Sequence, residues 1–180
     1  VKIWISINQS VLDIHKGIDY YVVGMIIRHL DRVLTGHFGK YKEVLVLLGA
    51  RQVGKTTIIK RIFPEAMYLV VDNEPVRKAL ERYDPAIYKQ LLSNGSKWVV
   101  VDEIQKLSDP GRAAKIFFDQ LSEYKLIITG SSAFNIKNKA SESLAGRKID
   151  YHLYPLSLSE YLVQNGLESK LSVSPMENII

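Results

Sequence analysis

Residues 49–56 combine two glycines, a lysine and a threonine at a spacing that suits phosphate binding. The stretch reads GARQVGKT and follows an apolar segment. Glycines let the backbone wrap closely around an anion, and the N–H groups at the start of a following helix attract negative charge. Lys55 would reach the β- and γ-phosphates of a nucleotide, and the Thr56 hydroxyl would bind Mg²⁺. The predicted phosphate-binding residues are Gly49, Ala50, Arg51, Gln52, Val53, Gly54, Lys55, Thr56 and Thr57.

Two adjacent carboxylates, Asp102 and Glu103, follow the apolar segment WVVV. Ligands of open α/β sheets bind at the carboxyl ends of the strands, so both side chains are expected near the phosphate loop. Asp102 would contact Mg²⁺ through water, and Glu103 would orient and deprotonate an attacking water. The alternative is a pair that only caps the next segment.

The residues around these carboxylates favour ATP over GTP. GTPases have a glycine-containing motif at this strand end and an Asn-Lys-x-Asp motif later in the chain. Here residues 102–105 read DEIQ and residues 138–141 read NKAS. Neither matches the GTPase pattern, so ATP or ADP is the predicted ligand.

Hydroxyl side chains end the stretch KLIITGSS. If this strand lies between the first and the third, one hydroxyl would point between the γ-phosphate and the water next to Glu103. Ser131 is the predicted contact, while Thr129 and Ser132 stay open for the same role. A turn with incidental hydroxyls is the alternative.

Arg147 follows a glycine and precedes the last strand signal. From a second copy of the chain, its guanidinium could stabilise charge on the transferring phosphoryl group. The prediction is a homo-oligomer in which Arg147 acts in trans as a catalytic residue. The alternative is a surface arginine that pairs with Glu142 or Asp150.

These residues need a sheet that brings the ends of several strands together. Strand and helix signals alternate, which predicts an α/β fold with helices on both faces of a mainly parallel sheet. Pro85 breaks one helical stretch, and Asp109-Pro110 begins another. The predicted strands are residues 44–48, 67–71, 98–101, 125–129 and 151–154, and the predicted helices are residues 18–34, 55–63, 75–93 and 110–124.

Composition excludes some classes of protein. The chain of 180 residues has no cysteine, which rules out disulfides and thiol-based metal sites. Its formal net charge is +5, but 24 basic and 19 acidic residues are interspersed, so nucleic acid is only a weak candidate partner. No segment reaches the roughly 18 apolar residues that a membrane-spanning helix needs. The N-terminus is a poor signal peptide, so the expected location is cytoplasmic.

Five segments together resemble a known family: GARQVGKTT, VVVDEIQKL, TGSSAFNIK, ESLAGR and YHLYPLSLSEY. They are similar to the prokaryotic AAA+ ATPases whose core usually precedes a C-terminal domain of unknown function. The resemblance covers residues 25–163. It implies a P-loop NTPase fold, a three-layer α/β/α sandwich with five strands in the order 5-1-4-3-2. It also implies ATP and Mg²⁺ as ligands, and the family's Walker A roles for Lys55 and Thr56 and Walker B roles for Asp102 and Glu103.

The resemblance divides the chain into three parts. Residues 1–24 are expected to be an N-terminal extension, residues 25–163 the core, and residues 164–180 a tail in place of the usual lid and following domain. The predicted function is Mg²⁺-dependent ATP binding with hydrolysis. Two alternatives stay open: a nucleotide-binding module with little turnover because the lid is missing, and a partner protein of nucleic acid.

Overall fold

A five-stranded parallel sheet forms the centre of the protein. The computed structural model describes residues 26–92, 95–131 and 144–166. The strand order is β2-β3-β4-β1-β5, and all neighbouring strands are parallel. This confirms the predicted order 5-1-4-3-2. The strands are β1 (Val44–Leu48), β2 (Met67–Val70), β3 (Trp98–Asp102), β4 (Lys125–Gly130) and β5 (Lys148–His152).

Helices cover both faces of the sheet, as predicted. In the described ranges they are α1 (Leu30–Thr35), α2 (His37–Lys40), α3 (Lys55–Ile62), α4 (Glu74–Leu80), α5 (Pro85–Leu91), α6 (Pro110–Gln120) and α7 (Leu158–Gln164). Buried residues of α1 and α3 pack on one face of the sheet, and those of α4, α5 and α6 pack on the other. None of the helices in these ranges has the length and apolar character needed to cross a membrane.

Strand β1 shows why the central strands read as continuous apolar runs. All five of its residues are buried, because its side chains alternate between two covered faces. Leu45 and Leu47 pack with Ile58 and Ile59 of α3, whereas Val46 belongs to the core of the opposite face. After β1 ends at Leu48, the glycine loop connects it to the start of α3 at Lys55.

The last strand differs from its prediction. We expected residues 151–154, but β5 begins at Lys148 and ends at His152. It lies at the sheet edge beside β1, where the Val44 N–H donates to the carbonyl of Arg147 at 2.8 Å. None of the five residues of β5 is fully buried, so the strand has no apolar run to mark its start.

Helix boundaries follow the local signals only in part. Pro85 divides the second helical stretch into α4 and α5 as predicted, and the Asp109 carboxylate accepts a hydrogen bond from the Arg112 N–H at the start of α6. Helix α6 ends at Gln120 rather than at residue 124. The helix predicted for residues 18–34 begins at Leu30 in the described chain, and residues 18–25 lie outside it.

Candidate functional site

The glycine loop between β1 and α3 requires its two glycines for different reasons. A Cβ atom on Gly49 would lie 2.4 Å from the carbonyl oxygen of Leu153 and 3.0 Å from Cγ2 of Val53. The backbone at Gly54 has a φ of 97°, in the left-handed region that glycine tolerates. Gln52 also has a positive φ, of 64°. The loop is thus tightly wound where a phosphate would approach its backbone.

Lys55 is the first residue of α3 and is buried, with a relative exposure of 7%. Its ammonium group donates to the carbonyl of Gly49 at 2.9 Å and to that of Ala50 at 2.8 Å. The cation therefore lies over the loop at the positive end of an eight-residue helix. Thr56 is half-buried and Thr57 is exposed beside it.

The acidic pair lies at the carboxyl end of β3. Asp102 is two residues after Val100, which packs on the α3 face of the sheet, so the Asp102 side chain faces the same layer. The Thr129 hydroxyl donates a hydrogen bond to Oδ1 of Asp102. The Glu103 N–H in turn donates to the Thr129 hydroxyl oxygen at 3.3 Å. One buried hydroxyl therefore ties together the ends of two adjacent strands.

The conformation of Glu103 is unusual. Its φ is 58°, a left-handed value that side-chain-bearing residues seldom adopt and that occurs at constrained sites. Its carboxylate accepts a hydrogen bond from the amide nitrogen of Gln105. Both the backbone and the side chain of Glu103 are therefore held in place.

Tyr68 lies on β2 and faces the same side of the sheet as Asp102. It pairs with Val100 in the strand register and packs in the α3-side core. Burial, and to a smaller extent the charge of Asp102, raises the pKa of the Tyr68 hydroxyl. In the described ranges, this hydroxyl and the Gln105 amide oxygen are the two buried side-chain polar atoms that lack a hydrogen-bond partner. Both belong to the surroundings of the acidic pair.

A cleft of about 520 Å³ adjoins the glycine loop. Its lining includes loop residues 51–54 and Thr57 of α3. Ile26, Arg28, Pro155 and Leu156 also line it. The cleft combines apolar surface with the arginines Arg28, Arg51 and Arg61, and small-molecule sites in general join apolar surface to a few polar groups.

Arg28 connects three segments at this cleft, and sequence reasoning did not identify it. Its guanidinium donates to the carbonyl of Val53 in the loop at 3.0 Å, to the carbonyl of Tyr154 at 2.7 Å and to Glu160 at 3.1 Å. The Arg28 side chain is only 11% exposed. These contacts fix the glycine loop to the chain that follows β5.

Glu160 holds the other end of this connection. Burial alone would raise the pKa of its carboxyl, but the N–H groups of Ser157 and His29 and the guanidinium of Arg28 outweigh burial and lower that pKa to about 2. Ser157 and Glu160 also form a capping box at the start of α7. The Ser-x-x-Glu spacing is the one sequence signal that could have marked Glu160.

Arg147 lies far from the glycine loop of its own chain. It precedes β5 at the amino edge of the sheet, opposite the edge that carries the loop. The length of β1, five residues at about 3.3 Å each, puts the two edges about 16 Å apart. The Arg147 guanidinium pairs with Asp119 at 3.0 Å. That partner is not Asp150, which pairs with Lys148, and Glu142 lies outside the described residues.

The three hydroxyl residues considered for contact with a γ-phosphate, Thr129, Ser131 and Ser132, differ in their surroundings. Strand β4 lies between β1 and β3, which was the condition for the predicted role. Thr129 is bonded to Asp102, while Ser131 follows β4 and is half-buried. Ser132 lies outside the described residues. Ser131 therefore stays the predicted contact of a γ-phosphate, and Thr129 has a defined partner in the protein.

Known proteins share parts of this sequence. A family model described as "AAA domain" matches residues 41–162. The uncharacterized protein Rv2008c of Mycobacterium tuberculosis is 32% identical over 105 residues, which are 58% of this chain and 23% of that protein. The uncharacterized protein MJ1544 of Methanocaldococcus jannaschii is 25% identical over 141 residues, 75% of this chain and 32% of that protein. The chain thus spans at most a third of the length of these curated relatives.

Solved structures share its fold. A signal transduction ATPase with numerous domains (STAND) and a tetratricopeptide repeat sensor, from Pyrococcus horikoshii, has a TM-score of 0.52 and 18% identity, over 86% of this chain and 27% of that chain. A Walker-type ATPase of Pyrococcus abyssi has a TM-score of 0.51 and 18% identity, over 84% of this chain and 60% of that chain. Such identities show the fold alone. The family match over more than half of the chain, with the strand order and the glycine loop, shows that this chain belongs to the AAA domain family and has a nucleotide-binding P-loop fold.

Proposed function

We propose that this chain binds ATP with Mg²⁺ and hydrolyses it. The observation that carries the proposal is the hydrogen-bonded group of Asp102, Glu103 and Thr129. It lies at the carboxyl edge of the sheet, the same edge from which the glycine loop leaves β1. Ligands of parallel α/β sheets bind at this edge.

The residues of the loop fit a nucleotide phosphate. The left-handed backbone of Gly54, with a φ of 97°, turns the loop into the start of α3, and Lys55 lies at the positive end of α3 within reach of the loop. Bound ATP with Mg²⁺ supplies the phosphoanhydride bond that is cleaved. Lys55 would exchange its two carbonyl partners for phosphate oxygens, which bear more charge. The loop N–H groups of residues 50–57 would donate to the same phosphates.

Thr56 and Asp102 would hold the magnesium ion. Mg²⁺ in nucleotide sites keeps several waters and takes only one or two carboxylates in addition to phosphate oxygens. The Thr129 hydroxyl would fix the orientation of the Asp102 carboxylate.

Glu103 would accept the proton of the attacking water. A general base must lie within hydrogen-bond reach of that water, and the fixed backbone and side chain of Glu103 limit the directions it can take. Ser131 would contact the γ-phosphate from the end of β4. The cleft beside Arg28 and Thr57 would receive the base and ribose. ATP is preferred because both GTPase motifs are missing from the sequence.

The position of Arg147 favours a second candidate function, in which a single copy of the chain binds a nucleotide but turns it over only slowly. Because Arg147 lies at the opposite edge of the sheet, no position of its side chain brings it to its own loop. It could reach only the site of another copy. A turnover number that rises with protein concentration and is lost in Arg147→Ala would support a homo-oligomer with Arg147 in trans. Nucleic-acid binding has no support in the described residues, and salt-dependent binding to DNA or RNA would test it.

Steady-state phosphate release tests the proposal when it is combined with ATP binding by calorimetry. Glu103→Gln is expected to bind ATP and to release phosphate at least about 100-fold more slowly, since it keeps the shape but not the base. Glu65→Gln is the matched control, because Glu65 is exposed between α3 and β2. Equal rates in the wild-type chain and Glu103→Gln would remove Glu103 from the chemistry. Failure of the wild-type chain to bind ATP would overturn the proposal as a whole.

A further inference from the structure

Gln105 lies in a short 3₁₀ turn, Ile104–Lys106, directly after the acidic pair. Ile104 and Leu107 are buried in the core on either side of it. The N–H of Lys106 donates to the carbonyl of Glu103 at 3.0 Å, and the N–H of Leu107 donates to that of Ile104 at 3.0 Å. The backbone therefore presents the Gln105 side chain to Glu103 in a fixed direction.

The two ends of the Gln105 amide are in different situations. Its nitrogen donates to Oε2 of Glu103, whereas its oxygen is buried without a hydrogen-bond partner among the described residues. The amide cannot be reversed, because its oxygen would then face a carboxylate. A buried acceptor without a partner costs stability, and a leucine of similar size would avoid that cost. What the amide provides in return is its contact with Glu103.

We propose that Gln105 is a positioning residue for Glu103. The proposal rests on the proposed hydrolysis, in which Glu103 accepts a proton from water. The left-handed backbone of Glu103, with its φ of 58°, sets the start of the side chain, and the Gln105 amide sets its end. Gln105 directs one carboxylate oxygen toward itself and leaves the other for the water. Gln105 lies outside residues 49–57 and is not one of the proposed metal ligands, so in this proposal it acts only through Glu103.

This role separates chemistry from binding. The phosphate contacts come from residues 49–57, in a different part of the chain, and Gln105 takes no part in them. Loss of the amide should therefore lower kcat and leave the KM for ATP unchanged. It should also remove a buried oxygen that lacks a partner, so that the protein keeps or gains thermal stability.

The test compares Gln105→Leu with the wild-type chain for kcat, KM and Tm. We expect kcat to fall about 10-fold or more, because a misplaced catalytic group is costly, with KM within about twofold and Tm equal or higher. Gln105→Glu, which places a second carboxylate against Glu103, should lower kcat at least as much. Gln120→Leu, at an exposed position at the end of α6, is the matched control and should leave all three values unchanged.

Three results would overturn the inference. If the wild-type chain hydrolyses ATP and Gln105→Leu has the same kcat, the positioning role of Gln105 is refuted and the proposed hydrolysis is not. A parallel fall in kcat, ATP affinity and Tm would show that Gln105 has a structural role instead. Absence of turnover in the wild-type chain at all protein concentrations would refute the proposed hydrolysis, and this inference with it.

Discussion

The carboxylate of Glu160, which accepts hydrogen bonds from the N–H groups of Ser157 and His29 and pairs with Arg28, offers a prediction whose size follows from the structure. The change is Glu160→Gln, which keeps the shape of the side chain and removes its charge. Glu160 is 5% exposed on its side chain and lies 3.1 Å from Nε of Arg28. Its carboxyl pKa is lowered from 4.5 to about 2. That difference corresponds to about 3 kcal/mol in the free energy of unfolding at pH 7.

The sign of the pH dependence follows from the direction of that shift. The folded-state pKa of Glu160 lies below its unfolded value, so its contribution to stability is complete above pH 4.5 and disappears as the pH falls toward 2. Glu160→Gln should therefore be less stable than the wild-type chain by about 3 kcal/mol at pH 7 and by roughly half of that or less at pH 3.

Urea unfolding monitored by circular dichroism at both pH values measures this difference. Other carboxylates titrate in both proteins and cancel when the variant is compared with the wild-type chain. Glu65→Gln, an exposed position, should show almost no difference at either pH. A difference for Glu160→Gln that is near zero at pH 7, or that is the same at both pH values, would refute this account of the Glu160 carboxylate.

Three further predictions concern the loop and the arginine. Gly49→Ala should lower the free energy of unfolding by about 1–3 kcal/mol, because its methyl group would collide with the backbone carbonyl of Leu153. Gly39→Ala is the control and should not lower it, since a Cβ atom at Gly39 has no neighbouring atom within 4 Å. Urea unfolding of both variants measures the difference. Lys55→Ala should weaken ATP binding at least about 10-fold by calorimetry, since it removes the ammonium group that lies against the carbonyls of Gly49 and Ala50 in the loop. Arg147→Ala should abolish any rise of turnover with protein concentration, and Asp119→Asn, which frees Arg147 from its ion pair, should preserve that rise.

Local patterns made the loop and the acidic pair predictable. Gly49, Gly54 and Lys55 belong to one short segment, so their spacing in the sequence was enough to predict the phosphate loop. Asp102 and Glu103 could be placed because the carboxyl ends of parallel strands meet at one edge. The strand order came from the resemblance to a family rather than from the residues themselves, and the structure confirms it.

Contacts between distant residues were not predictable from local patterns. Arg28 bonds to partners that are 25, 126 and 132 positions away, and no motif links them. The bond between Thr129 and Asp102 depends on the adjacency of β3 and β4, which are also separated in sequence. The start of β5 was misplaced because an exposed edge strand has no apolar run. Gln105 belongs to the segment VVVDEIQKL, but its contact with Glu103 depends on the 3₁₀ turn that follows the acidic pair.

Single-turnover phosphate release tests the central claim most directly, with protein in excess over ATP and Mg²⁺ present. Product release and repeated cycles then have no influence, so the rate reports on chemistry at the edge that carries Asp102 and Glu103. The account predicts measurable release by the wild-type chain and at least about 100-fold slower release by Glu103→Gln, with ATP bound equally by both. Equal rates in the two proteins, or ATP bound by both without any release, would contradict it.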